Sequence, residues 1–224
     1  MNFLKTIFNT SYELSQRDPN RSPVFVYCKL VEESCELSDV LYGIAASEPL
    51  NGEVADVIIS ALDLLYVVDY QQVQQHGSMS KEEIFDSMVF ALAMANHTTD
   101  LSQHTLEDYW FYSGVETIDK YLAMVNHYKG RITRLLNQPQ RSEDNMVDLV
   151  SNLIRNTAKL ACGYKCCRSK PQRSEDNMVD LVSNLIRNTA KLACGYNQNH
   201  INTIVKVEHA IEHKVEKWRT KFGL

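Results

Sequence analysis

KLVEESCEL, residues 29–37, and NGEVADVIISALDLL, residues 51–65, read as two helices that each carry acids beside an apolar stripe. In the first, Glu32, Glu33 and Glu36 lie together, and Glu33 and Glu36 border Leu30, Leu37, Leu41 and Ile44. In the second, Glu53 and Asp56 are three residues apart, a spacing that places both on one helix face. At about 100° per residue, Glu53, Asp56, Ser60 and Asp63 form a stripe next to Val54, Val57, Ile58, Ala61 and Leu65.

The flanking residues fix where these helices start and stop. Ser22 followed by Pro23 pairs a capping side chain with a proline whose missing N–H is harmless in the first turn. The spacing predicts a helix from there to Tyr42, with Gly43 in the left-handed position after its end. Ser47, Glu48 and Pro49 then offer a new start for a second helix reaching about Gln75. In an antiparallel hairpin, facing residues must be equally far from the turn. A turn at residues 43–48 leaves Glu36 about 10 Å from it and Glu53 to Asp56 about 8 to 12 Å, at a rise of 1.5 Å per residue. The acids of the two helices therefore meet, whereas a turn at Asn51-Gly52 puts them out of register.

Several carboxylates converging beside an apolar core repel one another unless a cation holds them. An all-oxygen shell suits Mg²⁺ or Mn²⁺, with a phosphate-bearing substrate completing the coordination. A di-iron bundle requires Glu-x-x-His motifs, and the sequence has none. His209 and His213 stand at i and i+4 but lack a third ligand nearby in sequence, so they read as exposed residues of the last helix.

EExxE in residues 32–36 followed by ExxD in residues 53–56 resembles the MazG-like, all-α nucleoside triphosphate pyrophosphatase superfamily, which includes dimeric dUTPases and phage dCTPases. The resemblance implies a helical bundle of MazG-like topology that splits a nucleoside triphosphate into the monophosphate and pyrophosphate. It makes Glu33, Glu36, Glu53 and Asp56 the metal ligands, with Glu32 a supporting acid that orients the attacking water. Asp63 falls where many members have an asparagine near the substrate. The stretch AIEHKVEKWRTKFG, residues 210–223, is similar to the family's closing helix, with Lys217, Trp218, Lys221 and Phe222 in the matching places. Lys214, Lys217 and Lys221 share one face of that helix, which suits a triphosphate, although a helix C-terminus favours lysines by its dipole alone. A homodimer or larger assembly is expected, because family sites draw on neighbouring units. A different class of function, a non-catalytic helical interaction protein on the same scaffold, remains as the alternative.

Elsewhere the pattern is helical throughout. Ser80 and Glu83 form a capping box that opens a helix through about Asn96. A less regular helical region covers roughly 106–137, with Gly130 as a candidate break, and a last helix spans about 202–222. No segment alternates with period two, so no strand is expected and the fold class is all-α. Tyr109, Trp110, Phe111 and Tyr112 read as packing residues.

PQRSEDNMVDLVSNLIRNTAKLACGY occupies residues 139–164 and recurs letter for letter at 171–196. Each copy reads as one helix, capped by Ser142 or Ser174 and ended by Gly163 or Gly195. A solenoid needs at least three stacked units, and no third copy occurs. A recent tandem duplication fits better, and removing residues 165–196 leaves a continuous chain. Since a packed core has one slot of a given shape, one copy should fill it while the other is displaced or serves self-association. Asn145 to Asp148 matches the ExxD register with asparagine for glutamate, as a decayed second site would. The 224 residues are thus read as one all-α domain, with 22–96 as the catalytic half and 97–224 as a second half holding the repeat and the basic helix.

Composition narrows the function classes. A hydrophobic share of 44%, five prolines and eight glycines describe a chain that folds. A formal charge of -5 provides no basic field for nucleic acid. No apolar run is long enough for a membrane span, and MNFLKTIFNTSYEL lacks the continuous apolar stretch of an export signal. The six cysteines form no CxxC pair, so reduced thiols and a cytoplasmic location are expected, the host cytoplasm for a viral chain.

Overall fold

Ser22 caps the first of the two acidic helices as its sequence requires. In the computed structural model, which describes residues 3–44, 48–95, 118–141, 144–166, 202–203 and 205–224, Phe25 N donates to Ser22 Oγ at 3.4 Å and Pro23 occupies the first turn. Helix α2 runs Pro23–Tyr42 and ends at Gly43, whose φ of 68° is the left-handed conformation that glycine adopts without a Cβ penalty. Ile44 N closes the cap on Asp39 O at 2.9 Å.

After the turn, α3 spans Leu50–Leu65 and passes into a π-helical stretch, Tyr66–Tyr70, and then α4, Gln71–His76, which Gly77 terminates at φ 62°. The expected second helix is therefore present to within a residue of its expected end, with one widened turn. Helical periodicity alone gives no sign of a π turn, which inserts an extra residue into the hydrogen-bond ladder. Ser47, expected at the start of this helix, lies outside the described residues.

α3 is apolar nearly all round and sits at the centre of the molecule. From Gly52 to Leu65 only Asp56 and Ser60 are less than fully buried. It packs against α2, against α1 (Phe3–Arg17) and against α7 (Met146–Cys166), which also lies along α5 (Lys81–Ala95) and α6 (Ile118–Asn137). A helix buried on every side is what such a sequence demands. One hydrophobic cluster includes Leu4 and Phe8 of α1, Leu30 of α2, Ile58 of α3, Ile84 of α5, Val125 of α6, Val150 of α7 and Ile211 of the C-terminal helix, residues 205–222. Residues from both sequence halves thus share a single core. The described residues are all-helical apart from turns, and among them no helix is long and apolar enough to cross a membrane.

Helix α1 was not anticipated from its polar-interrupted sequence. Phe3, Leu4, Ile7, Phe8, Ser11, Leu14 and Ser15 are buried at helical spacing, and the small hydroxyls that interrupt the apolar run fit the core face without opening it. The Ser80–Glu83 capping box forms in both directions, with Glu83 N donating to Ser80 Oγ at 3.2 Å and Ser80 N to Glu83 Oε2 at 2.7 Å. Gly130 does not break α6, which runs on to Asn137.

The first repeat copy supplies α7, with Met146, Leu149, Val150, Leu153 and Ile154 buried as its stripe predicts. Its start is set by Asn145, whose Oδ1 accepts from Asp148 N at 2.8 Å. Ser142, the expected cap, lies outside the described residues. The helix also continues through Gly163 to Cys166. A helical glycine costs about 1 kcal/mol but ends a helix only where the backbone turns left-handed. The second copy and the aromatic group 109–112 lie outside the described residues.

Candidate metal centre

Packing α2 against α3 buries carboxylates from both helices in one place. Carboxylate oxygens of Glu33, Glu53 and Asp56 all lie within 4.8 Å of one another. Glu53 is 1% exposed and Glu33 is 9% exposed, so two of the three acids are essentially inside the core. At an effective dielectric of about 20, each pair of charges at this separation costs about 3 kcal/mol. A divalent ion with oxygens at about 2.1 Å sets them about 3.0 Å apart when adjacent and about 4.2 Å apart when opposed, so the three acids fit one shared ion with small side-chain shifts.

Two lysines supply counter-charge. Lys29, one turn before Glu33 on α2, lies 2.8 Å from Glu33 Oε1 and 3.0 Å from Glu32 Oε2. Burial works against its charge, but the hydrogen bonds to Glu33 and Glu32 outweigh it and raise its pKa. Lys214, from the C-terminal helix, is paired with Asp56 Oδ2 and lies 2.5 Å from Glu48 Oε2. Burial opposes its charge too, yet the bonds to Asp56 and Glu48 raise its pKa. Burial lifts the Asp56 carboxyl to about 6, with the Lys214 hydrogen bond pulling the other way. Glu48, more exposed, is held below the usual glutamate range chiefly by its hydrogen bond from Lys214.

Three of the four acids expected as ligands, Glu33, Glu53 and Asp56, form the group, and Glu36 is not part of it, although it is close enough for the charges of Glu33 and Lys214 to act on it. Val26, Leu30, Glu33, Ser34 and Leu37 make the buried stripe of α2, and Glu36 stands on its edge. Among the described residues, Glu36 makes no hydrogen bond or ion pair. Burial first, then the charges of Glu33 and Glu32, raise its pKa.

The remaining site residues are not members of the carboxylate group. Glu32 points outward, with 57% of its side chain exposed, and its contact is Lys29. Asp63, two turns beyond Asp56, is engaged by Arg21. Lys217 is exposed but close enough to help lower the pKa of Glu48. Lys221 is exposed, with its ammonium 5.9 Å from the centre of the Phe222 ring. His209 is exposed and 3.5 Å from Glu212, and His213 is exposed as well.

Sequence reasoning passed over Lys29, Glu48 and Arg21 and gave Lys214 second place behind Lys217. Lys29 had a local signal, since it stands at i−3 and i−4 to Glu32 and Glu33. Lys214 had one too, because it neighbours Val215 and Ile211 on the apolar stripe of the last helix and so must lie against the bundle. Arg21 precedes the helix cap, and only the tertiary fold brings it to Asp63.

No family model, no curated protein and no solved structure matches the chain.

Proposed function

We propose that the protein is a Mg²⁺-dependent nucleoside triphosphate pyrophosphohydrolase built on a MazG-like bundle, acting in the cytoplasm as a homodimer or larger assembly. The observation that carries this reading is the convergence of Glu33, Glu53 and Asp56 from two packed helices, beside a lysine-bearing third. Glu33, Glu53 and Asp56 would hold the ion. When bound, Mg²⁺, or Mn²⁺ in its place, supplies charge neutralisation at the phosphates and polarises the anhydride.

The chain's own residues divide the other tasks. Lys217 faces solvent beside Glu48, where it can meet a phosphate, while Lys221 near the end of the helix adds positive field. Glu36 is one turn from Glu33, carries no competing hydrogen bond among the described residues, and has a carboxyl pushed upward in pKa. Those properties make it a better general base than Glu32, which is exposed and held by Lys29. Asp63 bonds to Arg21 through both of its oxygens, which favours a structural role over substrate contact.

A panel of ribo- and deoxyribonucleoside triphosphates with Mg²⁺, resolved by chromatography, tests the reading. Monophosphate and pyrophosphate in equal amounts are expected, with nucleoside diphosphate and phosphate absent. A second reading, a non-catalytic helical interaction protein, draws on one specific observation: Lys29 and Lys214 already offset part of the acidic charge. That reading predicts no product from any triphosphate and no rise in melting temperature with Mg²⁺.

A further inference from the structure

Lys214 reaches the acidic group from a helix 158 residues away in sequence, and its ammonium bridges Asp56 and Glu48. The side chain is only 16% exposed, so a long flexible residue has been drawn in and held. Gly52 makes the space. A Cβ at that position would lie 2.8 Å from Glu48 Oε2 and 3.8 Å from Lys214 Cε, so any side chain there moves the Glu48 carboxylate. The C-terminal helix does not depend on this contact for its place. Val207, Ile211 and Val215 are buried, Arg219 Nη1 lies 2.9 Å from Glu13 Oε2, and Arg17 donates to Phe222 O and Gly223 O at 2.6 and 2.8 Å.

We infer that Lys214 is an internal stand-in for the divalent cation, held on Asp56 while no metal is bound and displaced onto Glu48 alone when a metal enters the Glu33, Glu53 and Asp56 group. The inference rests on the metal-centre reading above. The physical reason is competition for one oxygen pair. Asp56 cannot present the same lone pairs to an ammonium and to a divalent ion, and two cations sharing one carboxylate repel. Glu48 gives the displaced ammonium a second anchor outside the three-carboxylate group, so the exchange needs only a swing of the lysine tip about a fixed helix. The released cation then lies at the rim of the site, where a phosphate group would arrive. Metal binding is therefore coupled to the availability of Lys214, and each weakens the other's hold on Asp56.

The test is Mn²⁺ affinity of the full chain, measured by electron paramagnetic resonance of free Mn²⁺ without nucleotide. Lys214→Met should bind Mn²⁺ about tenfold more tightly than wild type, a coupling of ordinary size for two ligands of one site. Lys217→Met, which removes an equal charge from the same helix without freeing Asp56, should change affinity by less than about twofold, as expected of an exposed, screened charge. Lys214→Gln keeps a donor for Glu48 and serves if the apolar variant unfolds, as judged by circular dichroism. Equal tightening in the Lys214 and Lys217 variants reduces the effect to bulk charge and overturns the inference. Unchanged or weaker binding in both Lys214 variants also overturns it, while leaving the metal centre standing. No binding by wild type or by any variant removes the metal centre itself, and the inference with it.

Discussion

Arg21 grips Asp63 through both of its terminal nitrogens, Nη1 donating to Oδ1 at 2.9 Å and Nη2 to Oδ2. Only 13% and 7% of the two side chains is exposed, and Gln71 Nε2 donates to Arg21 O at 3.2 Å, tying the segment between α1 and α2 to the helix beyond α3. Removing one partner of such a pair strands the other's charge. Arg21→Met should therefore cost about 3 kcal/mol or more in urea unfolding, and Arg21→Met with Asp63→Leu should recover most of it. Neither change should alter the rise in melting temperature with Mg²⁺. A lost rise in the double variant would place Asp63 in the site after all.

Glu53→Gln trades function against stability. Its carboxylate is buried beside those of Glu33 and Asp56, and Lys29 and Lys214 offset only part of the mutual repulsion. Replacing it by a neutral isostere should stabilise the metal-free protein by about 1–2 kcal/mol while abolishing the Mg²⁺-induced rise in melting temperature. Calorimetry with and without Mg²⁺ reads both effects. A destabilised variant that still responds to Mg²⁺ contradicts the site.

The capping box of α5 carries a pH signature. Glu83 is held below its ordinary pKa by hydrogen bonds from the backbone and side chain of Ser80. A depressed carboxyl stabilises the fold fully above its unfolded value near 4.5 and loses that contribution as pH falls through its folded value. Glu83→Gln should therefore lower the melting temperature at pH 7 and match wild type at pH 3. Ser80→Ala removes the other half of the box and should cost about 1 kcal/mol at neutral pH.

Deleting residues 165–196 tests the duplication. The first copy supplies Met146, Leu149, Val150, Leu153, Ile154, Leu160 and Ala161 to the core cluster, so the shortened chain keeps every core residue described above. Cooperative unfolding with a melting temperature within a few degrees of the full chain is expected, since a loss of about 1 kcal/mol moves a domain of this size by about 2–4 °C. Loss of cooperative unfolding would show that the first copy cannot fill the slot alone.

Much of this architecture was legible because its signals are local. Ser22-Pro23, Gly43 and the Ser80–Glu83 box each define a helix end by bonds within a few residues, and they locate α2 and α5 to within a residue or two. The carboxylate site was legible in outline, since Glu53 and Asp56 share a face and the turn length sets their height against α2. Spacing marks Glu33 and Glu36 alike, one turn apart on α2; that Glu33 stands in the buried stripe with Leu30, Ser34 and Leu37 while Glu36 stands at its edge is defined by what packs on the helix. The Arg21–Asp63 pair and the reach of Lys214 to Asp56 depend on contacts between distant parts of the chain, and the π turn at Tyr66–Tyr70 leaves no mark on helical periodicity. Helix α1 was missed for a different reason, because hydroxyl residues on its buried face broke an apolar pattern that packing does not require to be continuous.

The most direct measurement is anomalous scattering from crystals grown with Mn²⁺. A peak within about 2.3 Å of oxygens from Glu33, Glu53 and Asp56 together is the predicted result, allowing for the somewhat longer bonds of Mn²⁺ than of Mg²⁺. No peak there at millimolar Mn²⁺, with Lys214 still on Asp56, would contradict the account and make the three acids and two lysines a structural ion-pair network.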